Sequence, residues 1–270
     1  MAVAKPEEQV FPRVKRVLYR KATLHEVVCQ TRFPVDLRLE KDPPADFQQR
    51  VRATFPLLER NTQSIVGTLP TEVAKAFEAM GRPSGTTTVW QFATEDGKTQ
   101  LELAKDNLTL ISRSYDTWEH FWDQFRGSLD AFVELYEPPF FVRIGLRYKN
   151  LLRRSLLGLD KAPWNELLKG PVLGELAANE IREKALEATR NLLVTLPERE
   201  AKARLQHGFV QGEGSDEQCY LLDCDSFVER TEVDHAHDAI AYLHQHATRY
   251  FRWCITDRLH RAMEPDPIPT

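Results

Sequence analysis

The chain has 270 residues, of which 42% are hydrophobic and 10% aromatic. This apolar content is enough for a substantial core and excludes an intrinsically disordered protein. The 36 basic and 40 acidic residues are interspersed and leave a formal charge of −4, which argues against a general binder of nucleic acid or anionic membranes.

A strand and a helix are the first elements predicted along the chain. Residues 24–33 alternate two faces and are rich in β-branched residues, which is typical of a strand. Beyond Pro34 the alternation resumes over residues 35–39, so we expect a bend or an edge position there. The proline pair at 43–44 then opens a helix with apolar residues at helical spacing as far as Leu58.

The next segment combines a short helix with a β-meander. The helix is predicted over residues 71–80 and ends before Gly81. Three strands follow, at 86–94, 98–104 and 108–113, and the Asp-Gly pair between the first two strands is a tight hairpin signal.

The strongest helical pattern follows this meander. Asp116 lies three residues before Glu119, the spacing of a capping box, and aromatic and aliphatic residues then recur at helical intervals as far as Tyr136. We interpret this aromatic stripe as part of the core and not as a base-stacking surface.

The second half of the chain repeats the order of strand, helix, further strands and long helix. Its predicted elements are a strand at 140–149, a helix from Pro171 past Ile181, strands at 199–210 and 217–224, and a closing helix at 234–263. The stretch 186–196 fits a helix or a strand, and we favour a strand.

This order predicts an α+β fold in which long helices pack on one face of a curved antiparallel sheet. We expect residues 1–270 to form a single fused domain. Residues 20–138 and 139–265 would be the two copies of a duplicated β-α-βββ-α unit, but the identity between the halves is poor and leaves the duplication open.

A candidate binding surface lies on the predicted strand at 140–149. Arg143, Arg147 and Lys149 share the face opposite its apolar residues, which are Phe140, Val142, Ile144, Leu146 and Tyr148. Three like charges on one side of a strand are destabilising unless acidic groups or an anionic ligand neutralise them. Ion pairs with neighbouring strands are one interpretation, and a site for an anion or an acidic partner is the other.

A second cluster could coordinate a metal ion. His235 and His237 open the closing helix, and Asp223 or Asp225 could join them from the preceding strand. The alternative interpretation is that these are solvated residues at a helix end. No Walker loop, GxGxxG, GxSxG or HExxH motif occurs in the sequence, and we predict no catalytic residue and no cofactor.

Four segments resemble a sporadically distributed bacterial and archaeal family of proteins of about this length, for which no activity is assigned. They are LHEVVCQTRFP, PFFVRIGLRYKNLL, YLLDCDSF and LHQHATRYFRWCITDRLHRAMEP. The likeness spans nearly the whole chain, and RIGLRY is its most specific part. The resemblance implies a stand-alone prokaryotic protein with an accessory role, and it supplies no catalytic residues.

The sequence favours a non-enzymatic binding or assembly protein that engages an acidic partner or ligand, or a second copy of itself. A metal-assisted hydrolase or nuclease and a nucleic-acid-binding protein are the alternatives. The cysteines lie outside any Cys-x-x-Cys spacing, and no stretch approaches the roughly 18 apolar residues of a membrane span. With no signal-peptide pattern at the N-terminus, we expect a cytoplasmic protein without membrane association.

Overall fold

The computed structural model describes residues 10–64, 86–212 and 216–267. It shows an α+β protein with a large antiparallel sheet, as predicted. The chain forms two compact units. Unit 1 comprises Met1–Val28, Ile144–Glu229 and His235–Thr270, and unit 2 comprises Cys29–Arg143 and Arg230–Asp234. The predicted curvature of the sheet and the predicted duplication stay predictions.

The strands of unit 2 form the predicted meander and extend it by one strand on each side. Their order is β3 (Leu57–Ser64), β4 (Thr86–Ala93), β5 (Thr99–Ala104), β6 (Asn107–Ser112) and the Cys29–Arg32 end of β2 (Leu24–Arg32). Neighbours from β3 to β6 are antiparallel. The Asp-Gly turn between β4 and β5 is confirmed, with Gly97 at a φ of 67° that a side chain would disfavour.

In its described residues, unit 2 also contains two short helices, α1 (Arg38–Lys41) and α2 (Ala45–Val51), and the long helix α3 (Trp118–Tyr136). The aromatic stripe of α3 supplies buried residues to the core, as predicted. Its cap is Thr117 and not Asp116, since the Thr117 side chain accepts a hydrogen bond from His120 N at 3.2 Å. Asp116 instead accepts a hydrogen bond from the Thr117 backbone N–H at 2.6 Å.

Two predictions for the segment before the meander were wrong. The alternation after Pro34 is not a strand, because Asp36 binds both the backbone and the guanidinium of Arg38 and so favours a local turn into α1. Helix α2 stops at Val51, and Leu58 lies in β3. Pro56 disfavours helical backbone at the residue before it, which prevents a longer helix. The predicted helix at 71–80 lies outside the described residues.

Unit 1 contains, in order, the Ile144–Leu152 part of β7 (Phe141–Leu152), the Gln218–Glu229 part of β10 (Gln218–Thr231), β9 (Lys202–Gln211) and β8 (Ala188–Thr195). The last three form antiparallel pairs, which confirms the strands predicted at 186–196 and 199–210. Strand β10 is longer than predicted. A separate two-stranded sheet pairs β1 (Val17–Tyr19) with β11 (Pro265–Pro267). Sequence analysis missed this pair, because three residues are too few to show alternation.

The helices of unit 1 are more broken than predicted. The segment 171–181 is divided into α4 (Gly170–Leu173), a 3-10 turn and α5 (Asn179–Arg182), and Gly174 ends α4 with a φ of 52°. The closing helix is divided into α6 (Ala236–Cys254) and α7 (Asp257–Ala262). No helix within the described residues is long and apolar enough to cross a membrane.

The break between α6 and α7 is stabilised by long-range backbone contacts. Ile255 forms an antiparallel bridge with Leu168, and the backbone N–H of Lys169 donates to Cys254 O at 2.9 Å. The Thr256 side chain caps α7 by accepting from Leu259 N at 3.4 Å. These contacts fix α7 and the start of α4 against the end of α6.

Candidate functional site

Two of the three basic residues singled out on β7 form ion pairs inside unit 1. Arg147 donates two hydrogen bonds to Asp223, Nε to Oδ1 at 2.8 Å and Nη2 to Oδ2 at 2.5 Å. The Asp223 side chain is only 4% exposed, and these hydrogen bonds raise the pKa of Arg147. Lys149 Nζ lies 2.5 Å from Oε1 of the buried Glu26. For these two residues the geometry favours the ion-pair interpretation over a docking surface.

Arg143 belongs to unit 2 and is half-buried. Burial raises the pKa of the Cys29 thiol, and the nearby charge of Arg143 partly opposes that rise. Of the apolar residues predicted to share one face of β7, Ile144, Leu146 and Tyr148 are buried as expected. Val142 is exposed, so the prediction was wrong at this position.

The histidine and aspartate cluster proposed as a metal site is not assembled. Asp223 is bound to Arg147, and His235 is exposed at the start of α6. Within residues 10–64, 86–212 and 216–267, no group of three or more His, Cys, Asp or Glu side chains is placed to hold a metal ion. His237 and Asp225 therefore do not form a metal site with His235 and Asp223.

Sequence analysis missed a pocket of about 680 Å³ in unit 1, which we name the basic pocket. Its cationic wall consists of Lys15, Lys169 and Arg252. Its apolar wall includes Val14, Val17 and Trp253, and Asp257 and His260 also line it. The volume lies within the range of about 300–1,000 Å³ that is typical of small-molecule sites.

Three separate parts of unit 1 position these side chains. Arg252 and Trp253 occupy the last turn of α6, and the break after Cys254 turns the chain so that α7 brings His260 to the same pocket. Lys169 is held by its backbone hydrogen bond to Cys254 O. Residues 12–17 lead into β1, whose pairing with β11 ties this segment to the chain that follows α7.

Positive charge exceeds negative charge in the basic pocket. Arg252 Nη2 binds Asp257 Oδ1 at 2.5 Å, and the Asp257 side chain is 73% exposed. Neither Lys15 nor Lys169 forms an ion pair with a carboxylate in the described part of the chain. Three cationic side chains therefore face one carboxylate among the lining residues. A half-buried ammonium such as that of Lys169 is more stable when an anion is close to it.

His260 supplies a neutral polar group to the basic pocket. Burial, followed by the charge of Arg252, lowers the pKa of His260, which favours the uncharged imidazole at pH 7. Its Nδ1 lies 2.8 Å from the Tyr19 hydroxyl, and burial raises the pKa of Tyr19 to about 12. In the tautomer in which the Tyr19 O–H donates to Nδ1, the hydrogen on Nε2 is available to a ligand.

No model of a protein family matches the sequence, and no curated protein matches it either. The resemblance that rests on the RIGLRY segment therefore stays a prediction. The chemistry of the pocket is what indicates a function.

Proposed function

We propose that this protein is a non-enzymatic binding protein whose basic pocket takes a small anionic ligand with an apolar body. The observation that carries the proposal is the convergence of Lys15, Lys169 and Arg252 on a pocket in which Asp257 is the one carboxylate among the described lining residues. The proposal retains the anion-binding class predicted from the sequence and moves the site from β7 to this pocket. It also agrees with the lack of common catalytic motifs in the sequence.

The anionic part of such a ligand is best matched by a phosphate or sulfonate group. Ammonium and guanidinium groups form their strongest hydrogen bonds with charged oxygens. Asp257 already accepts from Arg252, but its high exposure allows a ligand oxygen to replace it at low cost.

The apolar part of the ligand is matched by the wall around Trp253. This indole is held by two neighbouring rings, with the Phe11 centroid at 5.6 Å and the Tyr250 centroid at 6.4 Å. Held in this way, its ring offers a flat apolar surface at little cost in side-chain entropy. An aromatic monoanion or dianion fits both walls.

Titration calorimetry with 1-naphthyl phosphate tests the proposal. We expect Lys169→Met, which keeps the length of the side chain and removes its charge, to raise the dissociation constant about tenfold, equivalent to about 1.4 kcal/mol. The matched control is Lys161→Met, because Lys161 is exposed in the same unit and does not line the pocket. We expect the neutral analogue 1-naphthol to bind more weakly than the phosphate.

Equal affinity of the wild-type protein and Lys169→Met for 1-naphthyl phosphate would contradict the proposal, as would equal affinity for the phosphate and the alcohol. A competition arm addresses the acidic protein partner predicted from the sequence. Displacement of the probe by poly-L-glutamate would extend the ligand class to acidic peptides, and failure to displace it would restrict the pocket to small anions.

A further inference from the structure

A second cavity of unit 1, of about 330 Å³, lies along α6 and shares no lining residue with the basic pocket. We name it the hairpin cleft. Tyr242, His246 and Arg249 enter it from α6, at positions that share one helical face. Arg199 enters from the turn between β8 and β9, and Arg13 enters from the segment before β1.

The β8–β9 turn holds Arg199 at the mouth of this cleft. Arg199 and Glu200 have φ values of 61° and 51°, the left-handed conformation required at the two central positions of a type I′ turn. Leu196 N donates to Ala201 O at 2.7 Å and closes the hairpin. The backbone N–H of Glu198 donates to the Tyr242 hydroxyl at 3.0 Å, which ties the turn to α6.

Positive charge exceeds negative charge among the described residues that line the hairpin cleft, with three arginines against two carboxylates. Arg13 and Arg199 form no ion pair with a carboxylate within the described residues, although Glu198 and Asp238 also line the cleft. The charge of Arg13 also acts on Arg249, whose pKa is lowered first by burial and then by this like charge, while Tyr242 and Glu198 partly oppose the shift. An oxyanion among these guanidinium groups would offset both the repulsion and the desolvation.

His246 provides an independent observation. Its side chain lines the cleft, the residue is only 3% exposed, and Nδ1 has no hydrogen-bond partner in the described structure. Burial and the charge of Arg249 lower the pKa of His246 to about 4, so the ring is neutral at pH 7. A buried polar atom without a partner is destabilising. A bound polar group that draws the ring toward the cleft would satisfy it.

We propose that the hairpin cleft is a phosphate-binding site, in which Arg13, Arg199 and Arg249 bind the oxyanion and His246 contributes a neutral hydrogen-bonding group. Guanidinium groups bind phosphate through paired N–H groups, and several of them around one anion match its several oxygens better than those of a carboxylate. The cleft also has room for a small substituent, so the phosphate is either free or part of a compact phosphomonoester.

Titration calorimetry with inorganic phosphate at pH 7.5 in low salt tests this site. The main variant is Arg199→Gln, which removes one cation from an exposed turn and leaves the core intact. We expect the dissociation constant for phosphate to rise about tenfold in this variant. The matched control is Arg126→Gln, because Arg126 is exposed on α3 and does not line the cleft, and we expect it to bind phosphate like the wild-type protein.

Two further arms separate this site from the basic pocket and identify the form of the ligand. Lys169→Met should keep phosphate binding at the cleft, and Arg199→Gln should keep 1-naphthyl phosphate binding at the pocket, so the two proposals fail independently. Glycerol 3-phosphate binding at least as tightly as inorganic phosphate indicates a phosphomonoester, and weaker binding indicates the free anion.

Three outcomes would overturn the proposed phosphate site. One is the lack of measurable phosphate binding by the wild-type protein. Another is an equal dissociation constant in the wild-type protein and Arg199→Gln. The third is acetate binding as tightly as phosphate, since the site would then select charge alone. His246→Asn provides a second variant that keeps a polar side chain, and we expect it to weaken phosphate binding as well.

Discussion

Arg147, which the sequence indicated as a ligand-binding residue, forms an ion pair with Asp223 in the structure and stabilises the fold. Asp223 is almost fully buried on β10, whereas the Arg147 side chain is 40% exposed on β7. The carboxylate depends on the guanidinium more than the guanidinium depends on it, because a buried anion without its partner is strongly destabilising. The pair therefore constrains what can replace Arg147.

Charge reversal at Arg147 should destabilise the protein. Arg147→Glu places a second carboxylate against the buried Asp223, and we expect the free energy of unfolding to fall by about 2 kcal/mol in urea titrations. Arg126→Glu, on the exposed face of α3, is the control and should change it by less than about 0.5 kcal/mol. Unchanged stability of Arg147→Glu would return this strand to consideration as a docking surface.

At the scale of elements, a buried hydrogen-bond chain joins β9, β10 and α4. The Tyr220 hydroxyl donates to Val172 O at 3.2 Å and lies 3.0 Å from His207 Nδ1. Because the hydroxyl hydrogen goes to the carbonyl, its oxygen accepts from Nδ1–H of His207. Burial, and then the charge of Arg190, lower the pKa of His207 to about 4, so this chain exists with a neutral imidazole.

This chain predicts a pH dependence of stability. His207 binds a proton near pH 6.5 when unfolded and near pH 4 when folded, so the unfolded state binds more protons between these values. The free energy of unfolding should fall as the pH is lowered from about 6.5 to about 4, by up to about 1.4 kcal/mol per pH unit for this group. His246 should add a similar dependence.

Urea titrations at pH 7.5, 6.0 and 5.0 measure this dependence. In His207→Asn we expect lower stability at pH 7.5, because the hydrogen bond to Tyr220 changes, and a smaller loss between pH 6.0 and 5.0, because one titrating group is gone. The carboxylates common to both proteins cancel in the comparison. Equal slopes in the wild-type protein and the variant would show that His207 is not held neutral.

Elements whose pattern is local could be predicted from the sequence. The meander from β4 to β6 and the helix α3 were correct because alternation, a turn signal and a helical stripe each lie within a few residues. The break at Ile255 was missed because it depends on Leu168, which is far away in sequence. A continuous apolar stripe extends across that break and carries no sign of it.

Contacts between residues far apart in sequence also explain why the candidate site could not be predicted. The basic residues of β7 were visible because they share one strand, but their acidic partners are on other strands and could not be assigned. Lys15, Lys169 and Arg252 come from three distant segments, and each alone is an ordinary surface cation. The signal in the sequence was limited to the basic and aromatic residues at the end of the closing helix.

At the scale of the whole molecule, one short segment of unit 1 borders both proposed sites. Arg13 lines the hairpin cleft, whereas the neighbouring residues Val14 and Lys15 line the basic pocket. Residues 12–16 have no regular secondary structure, and both cations are exposed. Such a segment is accessible to proteases when it detaches locally, and a ligand that holds it in place should slow cleavage.

Limited trypsin digestion followed by mass spectrometry should therefore distinguish the two ligands on one chain. Inorganic phosphate should slow cleavage after Arg13 more than cleavage after Lys15, and 1-naphthyl phosphate should do the reverse, because each ligand binds one of these side chains directly. Lys169→Met should weaken the protection by 1-naphthyl phosphate and keep the protection by phosphate. Equal protection of both bonds by both ligands would mean that the segment responds to general stabilisation and that the two cavities do not bind separate anions.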